Sequence, residues 1–314
     1  MESSEPRQPA ASGGDVRTGM FPSVGRRLWV EAALVTVVCA VPLQQLFRLS
    51  LKSELHSHLL LIPLMSWYVC RFIDGRGATE PGSGRPAAGF TAGSALLALL
   101  GAVFLAGYWW LRQGARLPVT EYLWTGILGY LLLLLVVVVR WRGWQPIRAH
   151  AFAVALLLFF LPLPLAVTDG LSLFLQRGSA EVADVMLRMT GLPVLRDGMM
   201  FQLPGLIIRV AEECSGVRST LVLFITSLMA GKMFLRAGWK RLVLALATVP
   251  LGLLRNAFRI TVLSWLSVHV DPGVIHGPLH HQGGPVFFVL SLIPLFGLLW
   301  YFKRSESVRQ QAVK

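Results

Sequence analysis

The chain reads Arg209-Val-Ala-Glu-Glu-Cys-Ser-Gly-Val-Arg218 directly ahead of an apolar run that ends near Phe234. Here a thiol, two carboxylates and two guanidinium groups precede a long apolar segment. We therefore predict a loop that enters a membrane helix over about residues 216–234. Unpaired N–H groups at a helix start favour a thiolate, so Cys214 is a candidate nucleophile. The alternative for a lone cysteine is packing as a small apolar residue.

The composition excludes an ordinary soluble protein. Of the 314 residues, 54% are hydrophobic and only 14% are charged, and the mean hydropathy is +0.62. These values indicate an all-α polytopic membrane protein whose surroundings are the lipid bilayer. The net charge of +13 is spread in short basic clusters between apolar runs. Because no basic domain exists to hold a duplex, we predict no nucleic-acid partner.

Eight apolar runs are candidates for crossing about 30 Å of hydrocarbon. They cover residues 28–47, 59–72, 92–111, 122–139, 151–167, 216–234, 242–268 and 285–302. The second run is the shortest. We predict eight transmembrane helices in one domain over residues 28–303, a disordered cytoplasmic tail over residues 1–27, and a cytoplasmic tail over residues 304–314.

The positive charges predict an orientation. With the N-terminus inside, eighteen of the 29 Lys and Arg fall in inside segments, nine fall outside and two lie within a helix. Cytoplasmic segments carry an excess of Lys and Arg. Both termini are therefore predicted to be cytoplasmic.

The outer segment over residues 168–214 is far longer than an ordinary loop, which predicts structure or function within it. Apolar residues repeat at helical spacing after a candidate cap at Ser179, namely Val182, Val185, Met186 and Met189. This pattern predicts a short amphipathic helix that ends at Gly191. A hairpin that turns at Asp197-Gly198 then leads towards Cys214.

With this topology, three kinds of functional group lie at the outer membrane face. Cys214 precedes helix six, and Arg259 stands roughly 27 Å along helix seven from its inner end. His276, His280 and His281 precede helix eight. Histidine is a common metal ligand. Carboxylates are scarce beside these histidines, however, so we predict no metal and no cofactor.

Arg255 and Arg259 are four positions apart and lie on one side of helix seven. An ionisable residue within a membrane helix marks a functional site by default. The alternatives are snorkelling, or pairing with Glu212, Glu213 or Asp271. A thiolate, an imidazole and a fixed cation together suit acyl transfer: attack on a carbonyl, proton donation to the leaving amine and stabilisation of the oxyanion. Arginine stays protonated, so it suits only the last role.

Three motifs occur in order along the chain. They are Glu213-Cys-Ser-Gly-Val-Arg218, Asn256-Ala-Phe-Arg-Ile260, and His280 followed by Gly284 and Phe288. They are similar to the A-C-S-G-[IL], N-x-x-R-[IV] and H-x-x-x-G-x-x-x-F signatures of the exosortase branch of the exosortase/archaeosortase family. Ser57-His58 with Pro63 is a weaker match. The resemblance covers about residues 57–302.

The resemblance implies a cysteine-type membrane peptidase or transpeptidase in the inner membrane of a bacterium, with its site on the outer face. It implies Cys214 as nucleophile, Arg259 as stabiliser of the oxyanion or substrate, and His280 as general acid and base. The alternates or substrate-binding residues are Arg255, Arg218, Asn256, His281 and Glu213. The implied substrates are secreted proteins, anchored by a C-terminal sorting signal with a Pro-Glu-Pro-like motif. The implied acyl acceptor is a lipid or a polysaccharide component, with water as the alternative.

Two other functions remain open. An intramembrane glutamyl protease would use Glu212-Glu213 with an arginine, but Arg218 follows after four residues where three are expected, and no F-x-x-x-H follows on a later helix. A transporter or scaffold in polysaccharide export would use Arg255 and Arg259 to bind an anionic substrate. No internal repeat typical of such transporters is visible in the sequence.

Overall fold

The protein is mostly helical and carries one small antiparallel sheet. The structure, a computed structural model, describes residues 23–74, 91–114, 117–210, 216–271, 273 and 283–312. The bounds of its helices and strands are given in chain order below.

The first half of the chain contains two bent segments and a long helical pair. Helices α1 (Ser23–Val38) and α2 (Ala40–Lys52) meet at Cys39 with a bend of 69°. A 3-10 segment (Glu54–Leu61), α3 (Ile62–Tyr68) and a π-helical turn (Val69–Ile73) follow. Helices α4 (Ala92–Gly114) and α5 (Val119–Arg142) pack side by side. The elements α6 (Gln145–Ala149), α7 (Ala151–Leu156) and a 3-10 turn (Leu157–Phe160) come next.

The second half holds the sheet between long helices. Helix α8 (Leu165–Met189) leads into β1 (Leu195–Asp197), β2 (Met200–Leu203) and β3 (Leu206–Arg209), which form an antiparallel sheet in sequence order. Helices α9 (Val217–Phe234), α10 (Gly238–Leu246) and α11 (Thr248–His269) follow. The last helix, α12, covers Gly284–Ala312.

Several helices are long and apolar enough to cross a membrane, which makes the chain a multi-pass membrane protein. Within the described residues there are five such helices, or up to seven if each bent pair is one span. The bent pairs are residues 26–52, and residues 151–160 with α8. The eight spans predicted from sequence are therefore not all found. The number that crosses a bilayer and the orientation of the termini remain predictions.

The predicted helix over residues 59–72 is one difference. This part of the chain forms three short pieces, none of which is among the candidate spans. Its length explains the result, because about 20 apolar residues are needed to cross the hydrocarbon. Helix α1 also begins at Ser23, inside the tail predicted for residues 1–27, and α12 continues through most of the tail predicted for residues 304–314.

The stretch over residues 151–189 is a second difference. The apolar run over residues 151–167 does not form one helix, because the chain breaks near Pro162 and Pro164 and turns by 92° into α8. Proline favours the first turn of a helix and disrupts its interior. The side chain of Glu121 accepts a hydrogen bond of 2.6 Å from the backbone N–H of Leu165. Ser179 therefore lies buried within α8 rather than at its start.

Other predictions for this segment are confirmed. Helix α8 ends at Met189, close to Gly191. The hairpin is present, and Asp197 pairs with Met200 across the turn at Gly198-Met199. The sequence analysis did not predict β3, which extends the hairpin to three strands.

The C-terminal helix fastens the start of α10. The carboxylate of Glu306 accepts hydrogen bonds of 3.0 Å from the backbone N–H groups of Arg236 and Ala237. The buried ammonium of Lys240 donates to the Phe302 carbonyl and to the Ser305 hydroxyl. These contacts satisfy N–H groups that a helix start leaves unpaired, so residues beyond Phe302 belong to the folded structure.

Candidate active site

The first turn of α9 begins at a residue with unusual backbone geometry. Gly216 is the N-cap and has φ 74°, in the left-handed region that favours glycine. Its carbonyl accepts the first helical hydrogen bond from the Thr220 N–H at 2.9 Å. No side chain among the described residues caps this helix. The N–H groups of a first helical turn have no partner within the helix, and the positive end of the helix dipole lies here.

Two polar side chains of α11 face Gly216. Nη2 of Arg255 donates a long hydrogen bond of 3.4 Å to the Gly216 carbonyl. A Cβ atom at position 216 would lie 2.6 Å from that nitrogen and 3.7 Å from Cγ of Asn256. Arg255 is 8% exposed and Asn256 is 2% exposed. The start of the Asn256-Ala-Phe-Arg motif thus packs against the end of the Cys-Ser-Gly motif.

Arg259 lies one turn further along α11 and is half-buried. Residues four apart on a helix share one face. Arg255 and Arg259 therefore place two guanidinium groups on neighbouring turns of one helix, as the sequence analysis predicted.

The sheet holds the chain on the other side of the cysteine segment. Phe201, Leu203 and Val210 are buried in one cluster with Ala257 and Ile260 of α11. The Val210 N–H also donates to the Met199 carbonyl at 3.0 Å. Val210 and Gly216 are the described residues on either side of residues 211–215, and both contact α11.

An ion pair fixes the sheet on α8. The guanidinium of Arg196 in β1 makes two hydrogen bonds of 2.7 and 2.8 Å to the carboxylate of Glu181. Paired contacts of this kind fix orientation as well as position. The ion pair therefore helps to orient the sheet relative to α8, and β3 of this sheet leads to residue 210.

The 3-10 segment also contacts α9, at Arg218 of its first turn. Arg218 donates a hydrogen bond of 2.7 Å to the Glu54 carboxylate. His58 is buried, and because a carbonyl only accepts, its Nδ1–H donates to the Leu55 carbonyl at 2.9 Å. Burial lowers the pKa of His58, and the charge of Arg218 acts in the same direction. The 3-10 segment lies outside the candidate membrane spans.

Four predicted site residues lie outside the described part of the chain: Cys214, Glu213, His280 and His281. Their predicted roles are therefore untested, as is the alternative of a metal at these histidines. The structure does describe Arg255, Asn256, Arg259 and Arg218. It brings Arg255 and Asn256 to the helix that follows the cysteine, whereas Arg218 turns towards Glu54.

The sequence analysis missed Glu54 as the partner of Arg218. These two residues are 164 positions apart, and no periodicity or motif spacing links them. His58 was noticed only as part of a weak match. Its position beside the first turn of α9 follows from the packing of the 3-10 segment, which local sequence does not reveal.

Comparison with protein families places the chain in a known family. A family model described as transmembrane exosortase matches residues 49–297, which is well over half of the chain. The chain belongs to the transmembrane exosortase family, which supports an exosortase-type function in the membrane. No curated protein and no solved structure matches the chain.

Proposed function

We propose that this protein is a cysteine-type membrane peptidase or transpeptidase that cleaves the C-terminal sorting signal of secreted proteins. Cys214 is the nucleophile, Arg259 stabilises the oxyanion and His280 transfers the proton. The active site faces the outer side of the bacterial inner membrane, and both termini lie in the cytoplasm. The proposal rests on membership of the exosortase family and on the three sequence motifs.

One contact carries the proposal furthest: Arg255 and Asn256 pack against Gly216. Two peptide units separate Gly216 from Cys214, so their Cα atoms are at most about 7.6 Å apart. Because Gly216 contacts α11, Cys214 must lie within this distance of a residue that packs against the arginine-bearing helix. The start of α9 supplies N–H groups and a dipole that favour a thiolate.

The proposed chemistry has two steps. The Cys214 sulfur bonds to the carbonyl carbon of the substrate, the C–N bond breaks, and His280 carries the thiol proton to the departing amine. Arg259 offsets the negative charge on the carbonyl oxygen during this step. A hydroxyl or amine of a lipid or polysaccharide acceptor, or water, then attacks the thioester. The C–S bond breaks, and the acceptor proton passes through His280.

A processing assay tests the proposal. Cells express a membrane-anchored reporter with a C-terminal sorting signal, together with wild-type enzyme, Cys214→Ala, Cys214→Ser or the matched control Cys70→Ser. We expect the wild type and Cys70→Ser to shorten the reporter and both Cys214 variants to leave it intact. A cysteine-directed covalent probe should label all forms except the Cys214 variants more strongly than background.

Processing by both Cys214 variants at wild-type rate would exclude the cysteine mechanism. A protein that shortens no reporter and shows no activated thiol would instead fit a transporter or scaffold. If the assay confirms Cys214 as the nucleophile, Arg259→Gln and His280→Gln are the next variants. Each should slow processing by about a hundredfold, because each removes a group that acts in the transition state.

A further inference from the structure

Strand β3 forms the edge of the sheet that precedes the cysteine segment. Within the described residues it pairs only with β2, in the strand order β1, β2, β3. An edge strand presents a row of backbone N–H and C=O groups that can pair with another extended chain. Arg209, the last residue of β3, is five positions before Cys214. This edge therefore leads directly into the segment that carries the proposed nucleophile.

The register of the hairpin shows which backbone groups of β3 face away from β2. The Val210 N–H donates to the Met199 carbonyl at 3.0 Å, so these two residues form a hydrogen-bonded pair. Hydrogen-bonded and non-hydrogen-bonded pairs alternate along an antiparallel ladder. Ile207 and Arg209 therefore occupy non-hydrogen-bonded positions opposite β2. Their backbone N–H and C=O groups point to the side away from β2.

The outward-facing residues of β3 are accessible and firmly held. Ile207 is 69% exposed, and Arg209 is also exposed. Leu206 and Ile208, which alternate with them, pack against the buried cluster between the sheet and α11. The turn before β3 contains Gly205 with φ 74°, and a tight turn of this kind fixes the register of a hairpin. The edge of β3 is therefore a fixed and open row of hydrogen-bonding groups.

The other edge of the sheet is less suited to guide a peptide to the cysteine. Strand β1 is joined to α8 by the ion pair between Arg196 and Glu181, and both other strands follow it before the chain reaches Cys214. Five residues of extended chain span about 17 Å. A peptide that pairs with Arg209 therefore reaches the thiol within about five residues, since five residues of the enzyme cannot span more than about 18 Å.

We infer that the substrate binds by strand addition: an extended segment beside the cleaved bond pairs with the backbone of Ile207 and Arg209 and becomes a fourth strand of the sheet. This inference rests on the proposed function and gives the same site a mode of substrate binding. In this mode backbone hydrogen bonds supply the affinity, and side chains contribute only at alternate positions. The enzyme therefore requires an extended substrate segment with free N–H groups.

Proline at position 207 tests the backbone contact. It removes the N–H that faces the substrate, and an edge strand tolerates proline where that N–H points outward. We expect Ile207→Pro to keep the Tm close to that of the wild type and to slow reporter processing by about tenfold, as the loss of about one hydrogen bond predicts.

Two control variants accompany Ile207→Pro. Ile207→Thr changes the side chain but keeps the N–H, so it should process the reporter at close to the normal rate. Ile208→Pro removes an N–H that donates to β2, so it should lower the Tm. Equal losses of processing in Ile207→Thr and Ile207→Pro would overturn the inference, because the side chain would then be the contact.

Photo-cross-linking gives a readout independent of turnover. The photo-reactive residue benzoylphenylalanine is introduced at position 207 of the full-length Cys214→Ala protein, which is expected to hold the reporter without cleaving it. The same residue at position 195 is the matched control, because Leu195 is 64% exposed and lies in the same cross-strand row on β1. We expect position 207 to capture the reporter several times more efficiently than position 195. Capture of a second copy of the enzyme alone, or of lipid alone, contradicts strand addition by the substrate.

Methylated peptides distinguish backbone pairing from other modes of binding. A synthetic peptide that spans the cleaved bond of the reporter carries one N-methyl group at successive positions, and each version competes with the reporter for the purified full-length protein in detergent. We expect competition to be lost at alternate positions, because alternate N–H groups of the added strand face β3. A profile without alternation overturns the inference, whereas Cys214 variants that still process the reporter overturn the proposed function instead.

Discussion

Glycine is required at position 216 for two reasons, the backbone conformation and the closeness of Arg255. Its φ of 74° lies where residues with a side chain are strained, and a Cβ there would come within 2.6 Å of Nη2 of Arg255. Left-handed backbone costs a residue other than glycine about 1–2 kcal/mol. The residue after Ser215 therefore sets both the start of α9 and the position of the neighbouring guanidinium.

Replacing Gly216 with alanine should reduce activity more than stability. The new methyl group pushes the Arg255 guanidinium away from the helix start, so we expect reporter processing to fall by about tenfold or more, the equivalent of about 1.4 kcal/mol. Quantitative immunoblotting of the shortened reporter at matched expression measures the rate.

Gly170→Ala is the matched control. Gly170 lies exposed within α8, and nothing would lie within 4 Å of an added Cβ. Alanine favours a helix interior over glycine by about 0.5–1 kcal/mol, so this variant should unfold at a slightly higher temperature and process at the normal rate. Equal activity of Gly216→Ala and Gly170→Ala would contradict the proposed role of Gly216.

Among the elements, α11 is central to the site because it packs against α8, α9 and α12. Its approach to α9 is close at Gly252, where a Cβ atom would lie 2.6 Å from the hydroxyl oxygen of Thr220. Small residues allow membrane helices to approach each other closely. Gly252 is three residues before Arg255, so this crossing sets how the guanidinium meets the start of α9.

Gly252→Ala should separate the two helices. Overpacking of this kind costs about 1–3 kcal/mol, and thermal unfolding in detergent should show a lower Tm together with slower processing. Thr220→Ala removes the opposing atoms, so the double variant should recover part of both losses. Gly297→Ala, whose added Cβ would meet nothing within 4 Å, lies in the interior of α12, so it should raise the Tm slightly and leave processing unchanged. A Gly252→Ala protein as stable as the wild type would contradict the tight packing of α9 and α11 at this crossing.

Across the whole molecule, α9 carries a polar cluster at each end. At the far end from Gly216, Lys232 pairs with the carboxylate of Asp74 at 2.6 Å, and Nδ1 of His150 lies 3.7 Å from the same carboxylate. The Asp74 side chain is only 6% exposed. The cluster joins the π-helical turn, the start of α7 and the last turn of α9. It therefore fixes the position of α9 relative to elements from the first half of the chain.

Lys232→Met should destabilise the protein strongly, because it leaves Asp74 buried without its partner. Breaking one side of a buried pair typically costs 3–5 kcal/mol. The double variant Asp74→Asn, Lys232→Met removes both charges and should regain most of that loss. Lys52→Met, at an exposed position in the last turn of α2, serves as control. Thermal unfolding followed by circular dichroism gives the Tm of all three variants. An unchanged Tm in Lys232→Met would contradict a stabilising role of the Lys232–Asp74 ion pair.

Hydropathy predicted the long helices well but not the bent ones. The predicted ranges 92–111 and 216–234 lie close to α4 and α9, because long apolar runs leave the chain little choice within a membrane. The range 151–167 failed at Pro162 and Pro164, and the amphipathic pattern after Ser179 proved to be the continuation of α8. The spacing of apolar residues predicts which face of a helix is buried, but it does not predict the residue at which the helix begins.

For the site, order and spacing of motifs predicted which segments meet, and Gly216 does lie against Arg255 and Asn256. Sequence reasoning could not separate the roles of Arg255 and Arg259, because both satisfy the same spacing on one helix. The structure shows a difference in burial, since Arg255 is buried and Arg259 is half-buried, and burial depends on the packing of α11 against α8 and α9. The pairing of Glu54 with Arg218 likewise arises from tertiary structure.

The cap that Glu306 places on α10 has a practical consequence for handling the protein. A stop codon introduced after Phe302 removes what looks in the sequence like a dispensable basic end, yet it would uncover the N–H groups of Arg236 and Ala237 and strip Ser305 from Lys240. Affinity tags therefore belong beyond Ala312. A protease that trims the chain between residues 303 and 306 should yield a product that aggregates on extraction, even though the apolar part of α12 up to Phe302 is retained.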